Sequence, residues 1–193
     1  MENHLIQSVI RAVAKYGIEN TTVKKISQEA HVTASSIYAY YIDKDDLLNA
    51  SFLWVDEFFS FSIQRLCWRN QSRDALRRTW KMCFRFLTEH PDETLFYVRF
   101  LYSTMYTEEL REQHNANFSK CSPLHEAFGE RRAFLFNHVL MNTFCYAQQY
   151  ITGQLPHSET TIEQIWNTIS DAAERCFMST PVVPLRVSGG YYG

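Results

Sequence analysis

Glycine and proline are scarce in this chain, six and five among 193 residues. So few turn formers leave little room for the many short strands of an all-β fold and favour long regular elements. Long apolar runs are missing as well. No stretch reaches the roughly 20 apolar residues of a membrane helix, and the first residues carry Glu2, Arg11, Lys15 and Glu19 where a signal peptide is apolar. A soluble, cytoplasmic protein without membrane contact is expected. Paired cysteines are also lacking. Cys67, Cys83, Cys121, Cys145 and Cys176 are odd in number and contain no CxxC, which predicts reduced, buried thiols. Of the seven histidines, His114, His125 and His138 come nearest to a ligand set, but they share no helix face and no metal is expected. A net charge of −2 excludes a globally basic nucleic-acid binder while permitting a local cationic patch. The GxSxG, P-loop and Rossmann glycine patterns are absent, so nothing supports an enzyme or a cofactor.

What is present is apolar and periodic: 46% hydrophobic and 15% aromatic, an all-α composition. Leu5, Ile6, Val9, Val13 and Tyr16 predict a helix over 3–16, which Gly17 ends in the left-handed region. Thr22 can cap a second, two-turn helix with Val23, Ile26 and Ala30 on one face. Thr33 caps a third over 34–40, with Val32 stapled to Ile37. Asp43 caps a fourth, Asp45 and Asp46 favour its dipole, and Ile42 is expected to staple to Leu47.

Two short helices joined by a three-residue turn and buttressed by a longer one make a helix-turn-helix, whose second helix is sized for a major groove about 12 Å wide. His31 takes the turn position where glycine is usual, and histidine is enriched among non-glycine residues at positive φ. Ile37 and Tyr41 turn inward, leaving Ala34, Ser35 and Tyr38 outward with Thr33 and Ser36 at the leading end. Lys24, Lys25 and Lys44 sit at helix starts, where positive charge opposes the dipole. Phosphates received there with the Thr22 hydroxyl would offset that cost, and ordinary solvated lysines are the alternative. Residues 1–46 hold five Lys/Arg against six Asp/Glu, so the reader is not basic overall.

The stretch TTVKKISQEAHVTASSIYAYYIDKDDLLNA resembles the amino-terminal domain of the tetracycline-repressor (TetR) family, over about 5–52. Its Thr-Thr-Val start, Ala-x-Val-Thr turn, Ile-Tyr-x-Tyr-Tyr end and Lys-Asp-Asp-Leu-Leu opening carry the likeness. The resemblance implies a homodimeric, ligand-responsive transcriptional regulator, usually a repressor, on palindromic double-stranded DNA. It implies that Thr33, Ala34, Ser35 and Ser36 face bases, and that Thr22, Tyr38, Tyr40 and Lys44 face phosphates. His31, Ala34 and Ala39 depart from the family pattern, although Ala34 can still meet a thymine methyl.

The expected division is a helix-turn-helix domain over 1–46, a helical effector-binding and dimerisation domain over 47–180, and a carboxy-terminal tail, partly ordered, over 181–193. Leu48, Phe52, Val55, Phe59 and Leu66 continue one stripe, making the fourth helix the lever between the domains. A helix over 72–89 turns Leu76, Trp80, Phe84 and Leu87 inward and stacks Arg73, Arg77, Lys81 and Arg85 on its other side. That stripe is either a solvated face or a seat for an anionic partner. Asp92 is expected to cap the next helix, and helices over 131–152 and 159–178 resemble the family's dimerising pair. A break is expected within 113–130. Trp80, Phe84, Phe96, Phe100, Met105, Phe118, Met141, Phe144 and Trp166 are candidates for effector-pocket walls or for plain core. A sequestering protein of the same fold, holding a small molecule without binding an operator, is the competing reading.

Overall fold

The computed structural model describes residues 1–67, 73–119 and 130–178, and side chains over 1–66, 77–118 and 137–171. Every element among them is a helix: α1 (Glu2–Tyr16), α2 (Val23–Ala30), α3 (Ala34–Tyr38), α4 (Lys44–Cys67), α5 (Arg73–Glu89), α6 (Pro91–Leu101), α7 (Glu108–Ser119), α8 (Glu130–Ile151) and α9 (Glu159–Met178). The expected tail, His125, Cys121, and the side chains of Cys67, Arg73, Leu76 and Cys176 lie outside the described residues. So does most of the expected break within 113–130, between the end of α7 and the start of α8.

The short helices start and stop where their side chains dictate. Thr22 accepts from the Lys25 amide at 3.3 Å, Thr33 from the Ser36 amide at 3.2 Å, and Asp43 from the Asp46 amide at 2.8 Å. Each satisfies a backbone donor that a helix start otherwise leaves open, typically worth about 1 kcal/mol. Gly17 ends α1 at φ 79° with its amide on the Val13 carbonyl, Gly153 follows α8 at φ 73°, and His31 sits left-handed at φ 53°, ψ 39°. Two capping expectations fail. Ile42 is 87% exposed and leaves Leu47 to the core alone, because its amide is held by Asp46 at 3.0 Å and its side chain is left facing water. Asp92 does not cap α6: Pro91 opens the helix after His90, and Asp92 lies with Glu93 in the first turn, where carboxylates still favour the dipole.

One apolar core runs through the chain from Leu5, Val9 and Val13 by way of Ile26 and Ile37 to Phe52, Phe59, Phe84, Phe100 and Phe144. α1 lies at its amino-terminal end, packed on α2, α4 and α6, and α3 rests on α2. α4 continues into the second half against α5, α6 and α7, where α8 packs on α5, α6 and α9. Cys83 is buried and Cys145 half-buried, and neither is in a disulfide.

Candidate nucleic-acid interface

The three capped helix starts frame one face. Thr33, Ala34 and Ser35 open α3 exposed to solvent, Tyr38 and Tyr40 are 54% and 52% exposed, and Ile37 and Tyr41 turn into the core as the spacing predicts. Thr33 and Ser36 also share a hydroxyl contact of 2.9 Å, which fixes the leading end of the helix. Thr22 and Lys24 are exposed, and Lys44 is half-buried. Neither Lys24 nor Lys44 has an ion pair among the described residues. Lys25 behaves differently: its ammonium donates to the Asn20 carbonyl at 2.8 Å and lies 4.4 Å from the Tyr16 ring centre, folded back on the end of α1. A shallow groove of about 580 Å³, lined by Ser27, Gln28, His31, Val32, Thr33 and Ser36, runs beside the α2–α3 turn. Small side chains, exposed phenols and two unpaired ammonium groups suit close approach to base edges flanked by phosphates.

The reader is braced from behind by contacts between residues distant in sequence. Arg11 pairs with Glu29 at 2.8 Å, and a His4 ring nitrogen lies 2.8 Å from the Ala30 carbonyl, so α1 holds the last turn of α2 from two points along its own length. Arg99 of α6 donates to the carbonyls of Val13 and Ala14 in the last turn of α1.

The second half carries a different kind of site. Of the nine candidate pocket residues, Trp80, Phe84, Phe96, Phe100, Phe118 and Phe144 are buried, and Met105, Met141 and Trp166 are half-buried against the core. Their rings pack on one another and on neighbouring rings of α4. Phe100 stacks on Phe52 with ring centres 4.4 Å apart, Trp80 lies 5.3 Å from Phe84 and 5.4 Å from Trp166, and Phe144 meets Phe59 at 5.2 Å. Trp80 also donates to the Thr143 hydroxyl at 2.8 Å.

Among these rings lies a buried polar cluster that the sequence reading missed. Asp56 Oδ1 accepts from the Tyr97 hydroxyl at 2.6 Å and lies 2.7 Å from His114 Nδ1, while Asp56 Oδ2 accepts from Asn117 at 2.8 Å. A carboxylate with no exposed surface is costly unless its oxygens are satisfied in this way. Tyr106, 5.5 Å from Phe52 by ring centres, is pushed up to about 12 by burial and then by the charge of Asp56. His114, weighed earlier as a metal ligand, is therefore spent on Asp56 and Tyr97, and Asn142 sits against His138. Among the described residues no group of three His, Cys, Asp or Glu is placed to hold a metal. The single sequence clue was an aspartate inside the apolar stripe of α4.

The basic stripe of α5 meets carboxylates of α9. Arg77 bonds Glu163 at 2.5 Å, and Lys81 pairs with Glu163 and, at 3.4 Å, with Glu159. Hydrogen bonds from Lys81 and Arg77 hold Glu163 below the ordinary glutamate range, and the bond to Glu163, with a smaller share from Glu159, raises Lys81. Arg85 remains exposed.

Residues 6–51 match the family of bacterial regulatory proteins designated tetR. A Haemophilus influenzae protein described as an uncharacterized HTH-type transcriptional regulator is 26% identical over 92 residues, which is 47% of this chain and 49% of that protein. The match thus spans about half the length of that relative. The fold is similar to a TetR-family transcription regulator from Marinobacter aquaeolei VT8, with a TM-score of 0.71 and 24% identity over 89% of this chain and 94% of that one. It is similar also to a TetR-like transcriptional regulator from Rhodococcus sp. RHA1, with a TM-score of 0.66 and 15% identity over 93% and 96% of the two chains. For the fatty acid degradation regulator FadR of Bacillus halodurans the TM-score is 0.63, with 13% identity over 94% and 100%.

Proposed function

We propose, from the match of residues 6–51 to the tetR family of bacterial regulatory proteins, that this chain is a member of that family and a dimeric, cytoplasmic DNA-binding repressor. Residues 1–46 read a palindromic operator, and residues 47–180 hold a small apolar or aromatic effector whose entry releases the DNA. The observation that carries this reading is the exposed face at α3. In this reading Thr33, Ala34, Ser35 and Ser36 meet base edges, Thr22, Lys24, Tyr38, Tyr40 and Lys44 meet phosphates, and Lys25 joins them on leaving Asn20 and Tyr16, while caps fix all three helix starts. α8 and α9 pair with their copies across a two-fold axis, setting two α3 helices roughly 34 to 36 Å apart on successive turns of the groove. The effector lies among Trp80, Phe84, Phe96, Phe100, Met105, Phe118, Met141, Phe144 and Trp166, and it acts by preferring the state that cannot bind DNA.

Titration of duplex DNA into substituted proteins tests the docking. Tyr38→Ala and Lys44→Ala are expected to weaken binding to every sequence alike, and Lys44→Ala to reduce the salt slope by about one. Changes at Ser35 or Ser36 are expected to alter sequence preference instead. Unchanged affinity in both Tyr38→Ala and Lys44→Ala contradicts the docking. The competing reading, a sequestering protein of this fold, draws on Lys25, which is already committed to Asn20 and Tyr16. Ligand affinity without salt-dependent DNA binding distinguishes it.

A further inference from the structure

One turn of α6 touches three other parts of the molecule. Tyr97 donates to Asp56 of α4 at 2.6 Å and lies 2.9 Å from His114 of α7. Phe100 stacks on Phe52 of α4, with the rings tilted by 15°. Arg99, between them, is directed toward the reader, where its Nη1 donates to the Val13 carbonyl and to the Ala14 carbonyl at 2.6 Å. Those carbonyls belong to the last turn of α1, where the dipole is negative, and the Val13 carbonyl accepts from the Gly17 amide as well. A guanidinium there makes charge-assisted bonds, stronger and more directional than neutral ones.

We propose that Arg99 is a positioning residue that couples the aromatic interior to the DNA-reading face through α1, by a connection that does not run along α4. α3 rests on α2, and α2 is braced on α1 by Arg11–Glu29 and His4–Ala30, so the attitude of α1 sets the attitude of α3. α4 holds α1 by apolar packing, which is non-directional. Arg99 holds it by hydrogen bonds, which fix its axial position. Residues 97 to 100 span about one helical turn, so a displacement that moves Tyr97 or Phe100 carries Arg99 with it. An occupant of the interior that parts Phe100 from Phe52 therefore pulls on the end of α1.

The coupling to DNA rests on the reading of the chain as an operator-binding regulator, but the mechanical link does not, and the experiment separates the two. Full-length wild type, Arg99→Gln, Arg99→Lys, Tyr97→Phe and the double variant Tyr97→Phe/Arg99→Gln are compared by amide hydrogen exchange. They are then compared for affinity to one duplex selected by the wild type. Arg99→Gln is expected to speed exchange in the last turn of α1 and in α2 about tenfold, with α8 and α9 unchanged. Tyr97→Phe, which removes a hydroxyl bound to Asp56 and His114, is expected to speed the same segments, and Arg99→Lys to recover part of the protection. Arg99→Gln is also expected to weaken DNA binding about tenfold, and the double variant to lose less than the product of the single losses. Unchanged exchange in α1 and α2 of a folded Arg99→Gln protein overturns the link, as does a Tyr97→Phe effect confined to α4, α6 and α7. Strictly multiplicative DNA losses overturn the coupling. A wild type that selects no duplex contradicts the operator reading, and hydrogen exchange then decides the Arg99 link alone.

Discussion

The reader and the aromatic half keep their polar groups in opposite ways. In the reader the groups that cap the helices lie at the surface, and each is satisfied by a neighbour three positions along the chain: Thr22 by Lys25, Thr33 by Ser36, Asp43 by Asp46. In the second half Asp56 is buried and satisfied by residues 41 and 58 positions away. Local satisfaction leaves the outer side of α3 free to meet something else. Long-range satisfaction locks α4, α6 and α7 to one another, so whatever loosens one of them is felt by all three.

The sharpest way to break this contrast is Asp56→Ala, which strands the Tyr97 hydroxyl, His114 and Asn117 in an apolar surrounding. Urea denaturation is expected to show a loss of roughly 3 to 5 kcal/mol, the usual cost of removing one partner from a buried charged cluster. A loss no larger than that of a cap substitution would mean the cluster does not tie the helices together. Thr33→Ala is next. The same measurement is expected to show about 1 kcal/mol, since one backbone donor is left to water.

His31→Gly reverses the sign. Replacing a side chain held at φ 53° relieves left-handed strain of about 1 to 2 kcal/mol, partly offset by the extra freedom of glycine when unfolded. Thermal melting is expected to show a gain of up to about 1 kcal/mol. The smallest effect is at the α5–α9 seam. Because Glu163 is held below its ordinary value of 4.5, the stability it adds is fully present above that value and is lost as pH falls through its lower folded value. The melting difference between wild type and Glu163→Gln is therefore expected to stay constant at neutral pH and to close in acid. Exposure to solvent keeps the difference small.

How far each part can be read from the sequence follows from the same contrast. Caps, the left-handed turn and the inward set Ile26, Ile37 and Tyr41 depend on residues within a turn or two, and periodicity and capping chemistry specify them. α9 runs over 159–178 as the pattern predicts, and α8 over 130–151, one residue from the prediction. Arg99 on Val13 and Arg77 on Glu163 each join residues 86 positions apart, and no local pattern marks them. Ile42 shows where pattern misleads. It has the right residue type at the right spacing for a staple, but Asp46 takes the Ile42 amide, and the side chain is left in water.

Selection of bound fragments from a random duplex library by the purified protein, followed by titration of the enriched sequence across salt concentrations, tests the central claim most directly. One palindrome is expected, bound two chains to a site, with affinity falling steeply as salt rises. A folded, dimeric protein that enriches nothing and binds duplex DNA without dependence on salt would contradict it.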